Sequence, residues 1–429
     1  MNAQRLNSKR LSHTEHAVLR TIITHEGISR AHLAEKLNIS MPTIASALKR
    51  LHELRYVTQS HGVFNSTGGR RPDAYAFAYS RCICVGVLVR KGTAHFVSTN
   101  LRGDVGSRQS VSLDSFGASD FYDGLALAIE SFIESSQIDT RHLRGIGVTV
   151  ASHAALDEAS EARLRRTIES RLSYPVRIMR EPFALAAAET LFNPGITDAA
   201  CLYLNATMSS AFIRGGRYMR SAVFAEHTRL YPAVPAVSVA SSVSVASSVS
   251  VASSVSAASS AEPRQRCECG QYGCAQLYCS SQALLSASGI RDAHVREFID
   301  HVRDGDYTHA KVLSNYMDSL ALLIHNIQMI VNVPVILGGE VARYLDSSDL
   351  SDIRARVRAL APKMLASSAG AADAVGMGVT GAASVSSVSG VSSVSGTRMV
   401  IKSQCTPEQA IIGAAYVLAQ DYLDSLLAV

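Results

Sequence analysis

A mixed α/β chain with a winged helix-turn-helix at its N-terminus is the fold class the sequence predicts, and three observations predict it. Within the first eighty residues, three short amphipathic segments precede a glycine-rich hairpin pattern. From residue 82 onward, apolar extended runs come first as a meander and then alternate with helical periods, the order of a mixed sheet with helices packed on it. The charge is also unevenly placed: residues 1–81 carry twelve Lys and Arg against five acids, a net of +7, so the remaining residues sum to −2 within a chain total of +5. A small basic head on a near-neutral body suits a polyanion as the head's partner.

The head is read in order. Val18, Leu19, Ile22 and Ile23 form one apolar stripe over residues 14–26, a first helix that Gly27 ends. Ser29 stands at an N-cap position ahead of a short second helix with Ala31, Leu33, Ala34 and Leu37, and Asn38-Ile39-Ser40 makes the turn. Ser40 caps a third helix, Pro42 fits its first turn, and Ile44, Leu48, Leu51 and Leu54 supply its buried face. That leaves Thr43, Ser46, Ala47, Lys49 and Arg50 on the opposite side. A helix enters the major groove only with such a division, one face packed and the other offering short polar and basic groups. Thr43 and Ser46, near the helix start, are placed for base edges, and Lys49 and Arg50 for phosphate. The strands YVTQS and AYAFAYS flank a wing tip, STGGRRP, whose Arg70 and Arg71 add two guanidiniums.

Beyond the head, CICVGVLVR, TAHFVST and VGSRQSVSL read as a three-strand meander. Helices are expected near 120–136, 158–172 and 183–191, with strands at 145–152 and 176–179 between them. CLYLNAT and SAFIRG form a further hairpin, VPVILGG a late strand, and residues 408–426 a closing apolar helix. Domain boundaries follow: 1–80 for the head, 81–200 for a first lobe and 201–429 for a second. Low-complexity insertions fall at about 237–260 and 382–396, where VSVASS repeats three times and VSSVSG twice. Such tracts lack large side chains to offset the entropy of ordering, and are read as surface insertions; pairing of the Val/Ser alternation as strands is the other reading.

The N-terminal residues contain no apolar signal region, and no run of eighteen apolar residues occurs, so a cytoplasmic location without a membrane partner is expected. Three of the eight cysteines crowd into Cys267-x-Cys269-Gly-x-x-Gly273-Cys274. Thiolates this close, joined by glycines that allow tight turns, can converge on one tetrahedral Zn²⁺, which needs a fourth ligand. His227 is the leading candidate and Cys279 its rival.

With these motifs in place, the chain resembles the ROK family, which groups bacterial repressors with sugar kinases. The likeness rests on the winged helix-turn-helix with its STGGRRP wing, GGRYMRSA at 215–222, the His-then-CxCGxxGC motif, VILGG at 335–339 and AIIGAA at 410–415. It implies an actin-like, ribonuclease H-like two-lobed domain, a structural zinc held by His227, Cys267, Cys269 and Cys274, homodimers or tetramers, and control by a sugar or sugar phosphate.

The departures from the family's kinases are as informative. Their Asp-x-Gly-Gly-Thr phosphate loop corresponds here to Val87-Leu88-Val89-Arg90-Lys91-Gly92-Thr93, which lacks the carboxylate and the glycine pair. The second, glycine-rich phosphate loop becomes Asn205-Ala206-Thr207-Met208-Ser209-Ser210-Ala211, whose added Cβ atoms hinder close approach of backbone amides to phosphate. The base motif Glu-Asn-Asp-Ala-Asn is Met179-Arg180-Glu181-Pro182-Phe183, with a Glu in place of the Asp. The family's sugar-binding Glu is Phe224 here, with Glu226 out of register. Glu181 and Glu226 are the residues left to contact an effector. The expectation is a regulator that is not an enzyme: a repressor of carbohydrate-related genes that binds double-stranded DNA at an inverted-repeat operator and answers to a sugar, sugar phosphate or protein. A sugar kinase with a DNA-binding appendage and an effector-independent regulator are the alternatives.

Overall fold

The computed structural model describes residues 11–61, 73–90, 92–114, 118, 120–151, 156–219, 224–231, 265–289, 294–360 and 399–427. Both low-complexity insertions and the wing tip with Arg70 and Arg71 lie outside the described residues.

The head contains α1 (His13–Thr24), β1 (Ile28–Ser29), α2 (Arg30–Leu37), α3 (Met41–Glu53), β2 (Val57–His61) and β3 (Asp73–Phe77). Helix α1 starts one residue before the sequence reading because Ser12 and Glu15 form a reciprocal capping box, Ser12 accepting from the Glu15 amide and Glu15 from the Ser12 amide. Asn38 takes the left-handed conformation expected of the turn, φ 52°, and ends α2. Ser40 caps α3 with Pro42 in the first turn. The strand β1 was not foreseen: its two residues pair with β3, Ile28 opposite Tyr75, to complete a three-stranded antiparallel sheet ordered β1-β3-β2.

The first lobe follows with β4 (Ile83–Arg90), β5 (Thr93–Asn100), β6 (Val105–Ser112), α4 (Phe121–Ser135), β7 (Leu143–Val150), α5 (Glu158–Leu172), β8 (Val176–Arg180) and α6 (Glu181–Phe192). Its sheet runs β6-β5-β4-β7-β8, with β4, β5 and β6 antiparallel and β7 and β8 added in parallel. Alternation along the strands sends Val85, Val87, Ile146 and Val148 to one face, where Leu125, Ile129, Phe132, Leu164 and Ile168 of α4 and α5 cover them.

The second unit comprises residues 192–406 and is described by itself. It contains β9 (Ala199–Leu204), β10 (Met208–Arg214), β11 (Arg217–Tyr218), α7 (Gln276–Cys279), α8 (Ser281–Ser288), α9 (Val295–Arg303), α10 (Tyr307–Ile330), β12 (Val335–Gly338), α11 (Gly339–Tyr344), α12 (Ser347–Leu360) and β13 (Val400–Lys402). The sheet order β11-β10-β9-β12-β13 repeats that of the first lobe: a three-strand meander with two parallel strands added beside its first strand. Tyr316, Leu320 and Ile324 of α10 pack with Leu202, Leu204, Val335 and Leu337 in its core.

The chain closes with α13 (Ala410–Leu427), and here the structure departs from the sequence boundary that assigned residues 201–429 to one lobe. Residues 407–429 group with the head and first lobe. Helix α13 lies on the face of the first sheet opposite α4 and α5, and glycines permit that approach. A Cβ on Gly147 would overlap the Ala414 carbonyl, and one on Gly413 would overlap the Ala184 carbonyl of α6. The other end of α13 enters the head: Ala415, Leu418 and Ala419 belong to the same buried cluster as Val18, Leu19, Leu48 and Leu51. The head therefore shares its core with α13 and the first lobe, through Cys82, Cys84 and Leu101 as well.

Candidate DNA-binding surface and metal centre

On α3 the buried stripe is Ile44, Ala47, Leu48 and Leu51. Ala47 was expected on the open side and is 5% exposed, because residues 44, 47, 48 and 51 share one face of a 3.6-residue period. Thr43, Ser46, Lys49 and Arg50 are exposed as predicted. The Thr43 hydroxyl lies 2.8 Å from that of Ser40 at the helix start. Arg50 is exposed but not unpartnered: its Nε is 3.1 Å from Oε1 of the buried Glu15. The other carboxylate oxygen of Glu15 accepts from the Ser12 amide at 2.7 Å, so one side chain caps α1 and holds α3.

Several cations counted toward the basic head also serve its joints. Arg30 donates to the Tyr75 hydroxyl at 3.2 Å, tying α2 to β3. Arg20 donates to the carbonyl of Leu427 at 3.1 Å, the last turn of α13. Two guanidiniums stack on tyrosines where the head meets the first lobe, Arg81 on Tyr56 and Arg102 on Tyr79, and a third, Arg144 of β7, stacks on Tyr422 of α13, at 4.8, 5.1 and 4.6 Å from the ring centres. Arg102 also lies 3.5 Å from Glu26.

In the second unit, His227 sits on a 3₁₀ turn, Ala225–His227, and faces the loop that carries the three cysteines. The ligand atoms of His227, Cys267, Cys269 and Cys274 all lie within 4.8 Å of one another. Cys267 Sγ is 3.6 Å from His227 Nδ1, and the Cys269 and Cys274 sulfurs are 3.5 Å apart. The two short spacings lie close to the edges, about 3.5 Å for S···N and about 3.8 Å for S···S, of a tetrahedron built on Zn–S and Zn–N bonds of about 2.3 and 2.0 Å. The turn that brings the sulfurs together needs Gly270 and Gly273, at φ 83° and 76°, and a Cβ on Gly273 would overlap the Tyr231 carbonyl. Burial pushes the Cys267 thiol up and that of Cys274 up to about 12, whereas a backbone hydrogen bond at Gln271 holds the exposed Cys269 lower. A cation is the group that would keep three such thiolates together. The rival ligand Cys279 is fully buried within α7, in the apolar core, outside the four-residue cluster.

The degenerate phosphate and base motifs are occupied by the chain's own side chains. Arg90, at the end of β4 where the family's kinases have a phosphate loop, reaches Glu181 at the start of α6, Nη2 to Oε1 3.3 Å. The carboxylate expected to contact an effector is thus already paired. Asn205, in the second altered loop, accepts from the Glu340 amide at 3.0 Å through its side chain and from the Ser281 amide at 2.8 Å through its carbonyl. The Ser281 hydroxyl donates to Glu340 Oε2 at 2.7 Å, which stations a carboxylate beside that loop. Glu226, the other effector candidate, is 8% exposed and accepts from the Ser210 hydroxyl at 2.5 Å, while Ser210 accepts from the Ala225 amide at 2.9 Å. Sequence reasoning missed Glu15, Ser281 and Glu340. Only Glu15 had a local signal, the Ser-x-x-Glu capping pattern at 12–15.

A winged helix-turn-helix joined to two lobes of repeated strand order, with a His-Cys₃ cluster in the second, defines a helix-turn-helix protein built on an actin-like body. Residues 92–391 match the profile of the ROK family, and the chain belongs to that family; residues 11–70 match the profile of the MarR family. The xylose repressor of Bacillus subtilis is 24% identical over 321 residues, 72% of this chain and 77% of its own length. The crystal structure of a ROK family transcriptional regulator, described as a homologue of the E. coli MLC protein, superposes with a TM-score of 0.67 at 15% identity, over 96% of both chains. A ROK hexokinase from Thermus thermophilus gives 0.57 at 16% identity, over 80% of this chain and 99% of the other. Among the described residues no helix is long and apolar enough to cross a membrane.

Proposed function

We propose that the chain is a DNA-binding transcriptional regulator, a repressor of carbohydrate-related genes, which acts as a homodimer on an inverted-repeat operator and does not phosphorylate sugar. The observation that carries this reading is α3: a capped helix with a fully buried stripe on one side and Thr43, Ser46 and Lys49 open on the other. Thr43 and Ser46 meet base edges, and Lys49 meets phosphate. Arg70 and Arg71 of the wing add phosphate or minor-groove contacts. Relatives named xylose repressor support a sugar or sugar phosphate as effector. Such a ligand shifts the regulator only through unequal affinity for its DNA-competent and incompetent states. The His227, Cys267, Cys269 and Cys274 cluster holds a structural Zn²⁺: with all four protein ligands in place a tetrahedral site has no position for substrate, so its contribution is to fix the loop.

The absence of kinase chemistry is supported by what fills the two altered loops. The Arg90–Glu181 pair leaves Glu181 poorly placed to accept a proton from a sugar hydroxyl. The Glu340 carboxylate beside Asn205 would repel a nucleotide's phosphates. Calorimetric titration of the full chain with Mg-ATP is expected to give no saturable heat; saturable, Mg²⁺-dependent binding would restore the kinase reading.

A further inference from the structure

We infer that Arg50 is a positioning residue, holding α3 on α1 through Glu15, and that Lys49 is the phosphate contact of the last turns of α3. This rests on the DNA-binding reading above and assigns different work to two adjacent cations that the sequence presents as equivalent.

The apolar contact between α1 and α3, Val18, Leu19 and Ile22 with Ile44, Leu48 and Leu51, sets the separation of the helices. Apolar packing is non-directional, so it resists sliding and rotation less strictly than a hydrogen-bonded ion pair of fixed geometry. Glu15 supplies that geometry. Its side chain is 6% exposed, one oxygen is held by the Ser12 amide at 2.7 Å, and the other is 3.1 Å from Arg50 Nε. The carboxylate stands in the first turn of α1 and the guanidinium in the last turn of α3, each at the helix end whose dipole favours its charge. Thr43 and Ser46 sit about two turns and about one turn away on the same rigid helix, so a change of register at Arg50 is carried to them.

The electrostatic consequence separates the two cations. Binding of duplex DNA loses affinity with salt in proportion to the phosphates that the protein's cations neutralise. Arg50 with its partner carboxylate is a net-neutral pair and releases no counterion of its own. Lys49 is exposed, and among the described residues no hydrogen bond or ion pair engages it.

The test uses the full chain and a fluorescein-labelled duplex that the unaltered chain has selected from a random-sequence pool, with affinity followed by anisotropy from about 50 to about 200 mM NaCl. Lys49→Ala is expected to make the slope of log affinity against log salt shallower by about 1.8, two phosphate contacts, one from each head of the homodimer. Arg50→Ala is expected to bind about tenfold more weakly with the slope unchanged, a loss in the range of coupled neighbours. Glu15→Gln is the decisive variant: glutamine keeps the capping box and removes the charge, and a side chain this buried cannot itself meet DNA. It should reproduce the Arg50→Ala loss of affinity with a slope no shallower than that of the unaltered chain, and the double substitution should bind no worse than either single one. Thermal unfolding in parallel identifies any variant that has lost its fold, and either single variant suffices for comparison with Lys49→Ala. A flattened slope for Arg50→Ala, or unaltered binding by Glu15→Gln, overturns the inference. Failure of the unaltered chain to select any duplex overturns the DNA-binding reading itself.

Discussion

Replacing Gly413 by valine is expected to damage two functions with one methine and two methyl groups. A Cβ at this position meets the Ala184 carbonyl of α6, and backbone cannot rotate away as a side chain can. Overpacking a close helix contact costs about 3 kcal/mol, which for a unit of this size lowers Tm by roughly 6–12 °C. The larger effect follows from what α13 does at its other end. Leu418 and Ala419 are part of the head's own buried cluster, so displacing α13 uncovers Val18, Leu19 and Leu51. DNA affinity should therefore fall more steeply than in a variant destabilised elsewhere to the same degree. Gly195→Val is the control: nothing lies within 4 Å of its Cβ position, and it should remain within about 0.5 kcal/mol of the unaltered chain. Calorimetric unfolding and duplex binding on the two variants check both statements. Equal behaviour of Gly413→Val and Gly195→Val would contradict the role given to α13.

The second large effect concerns the metal centre. Purified chain is expected to contain one Zn²⁺ per molecule, and Cys274→Ser to contain none. Its Tm should fall by about 10 °C, corresponding to roughly 3–5 kcal/mol for a unit of this size, loss of a metal being among the mechanisms behind large single-substitution losses. The cost arises because the loss of one ligand leaves the buried sulfur of Cys267 and the His227 ring without the ion that would join them, although backbone hydrogen bonds such as Leu230 to Gly273 still tie the segment to residues 228–231. Cys279→Ser is the informative comparison. Cys279 is buried in the apolar core and removed from the cluster, so this variant should lose some stability while retaining one Zn²⁺. Atomic absorption together with thermal unfolding distinguishes the ligand set; loss of zinc from Cys279→Ser with retention in a His227→Ala chain would reverse it.

What could be read from the sequence follows a physical division. Helices and strands with a regular apolar period were legible to within a few residues, as α4, α5 and β7 show, because each carries its own burial pattern. The strands β1 and β13, two and three residues long, carry no period and exist only through their partners β3 and β12, so neither was foreseen. Without β13 the identical strand order of the two lobes was also hidden. The position of α13 depends on glycines in three distant segments, a relation that no local pattern expresses. Ala47 was misplaced because alanine signals neither face of a helix strongly. In the His-Cys₃ cluster, the cysteine spacing pointed to three of its members locally, and the structure brings His227 to them and leaves Cys279 outside. The two effector candidates fared differently from the residues of that cluster. Glu181 and Glu226 are carboxylates at suggestive positions in the chain, yet each is held by a neighbour, Arg90 or Ser210, that only folding brings near.

The claim on which the rest depends is that the head recognises duplex DNA by sequence, and repeated selection of random duplexes by the full chain, followed by footprinting, tests it most directly. A symmetric pair of heads predicts enrichment of an inverted repeat whose half-sites lie about one helical turn, ~10 bp, or a multiple of it apart, protected on one face of the duplex. Retention of the pool without enrichment of any sequence would contradict it.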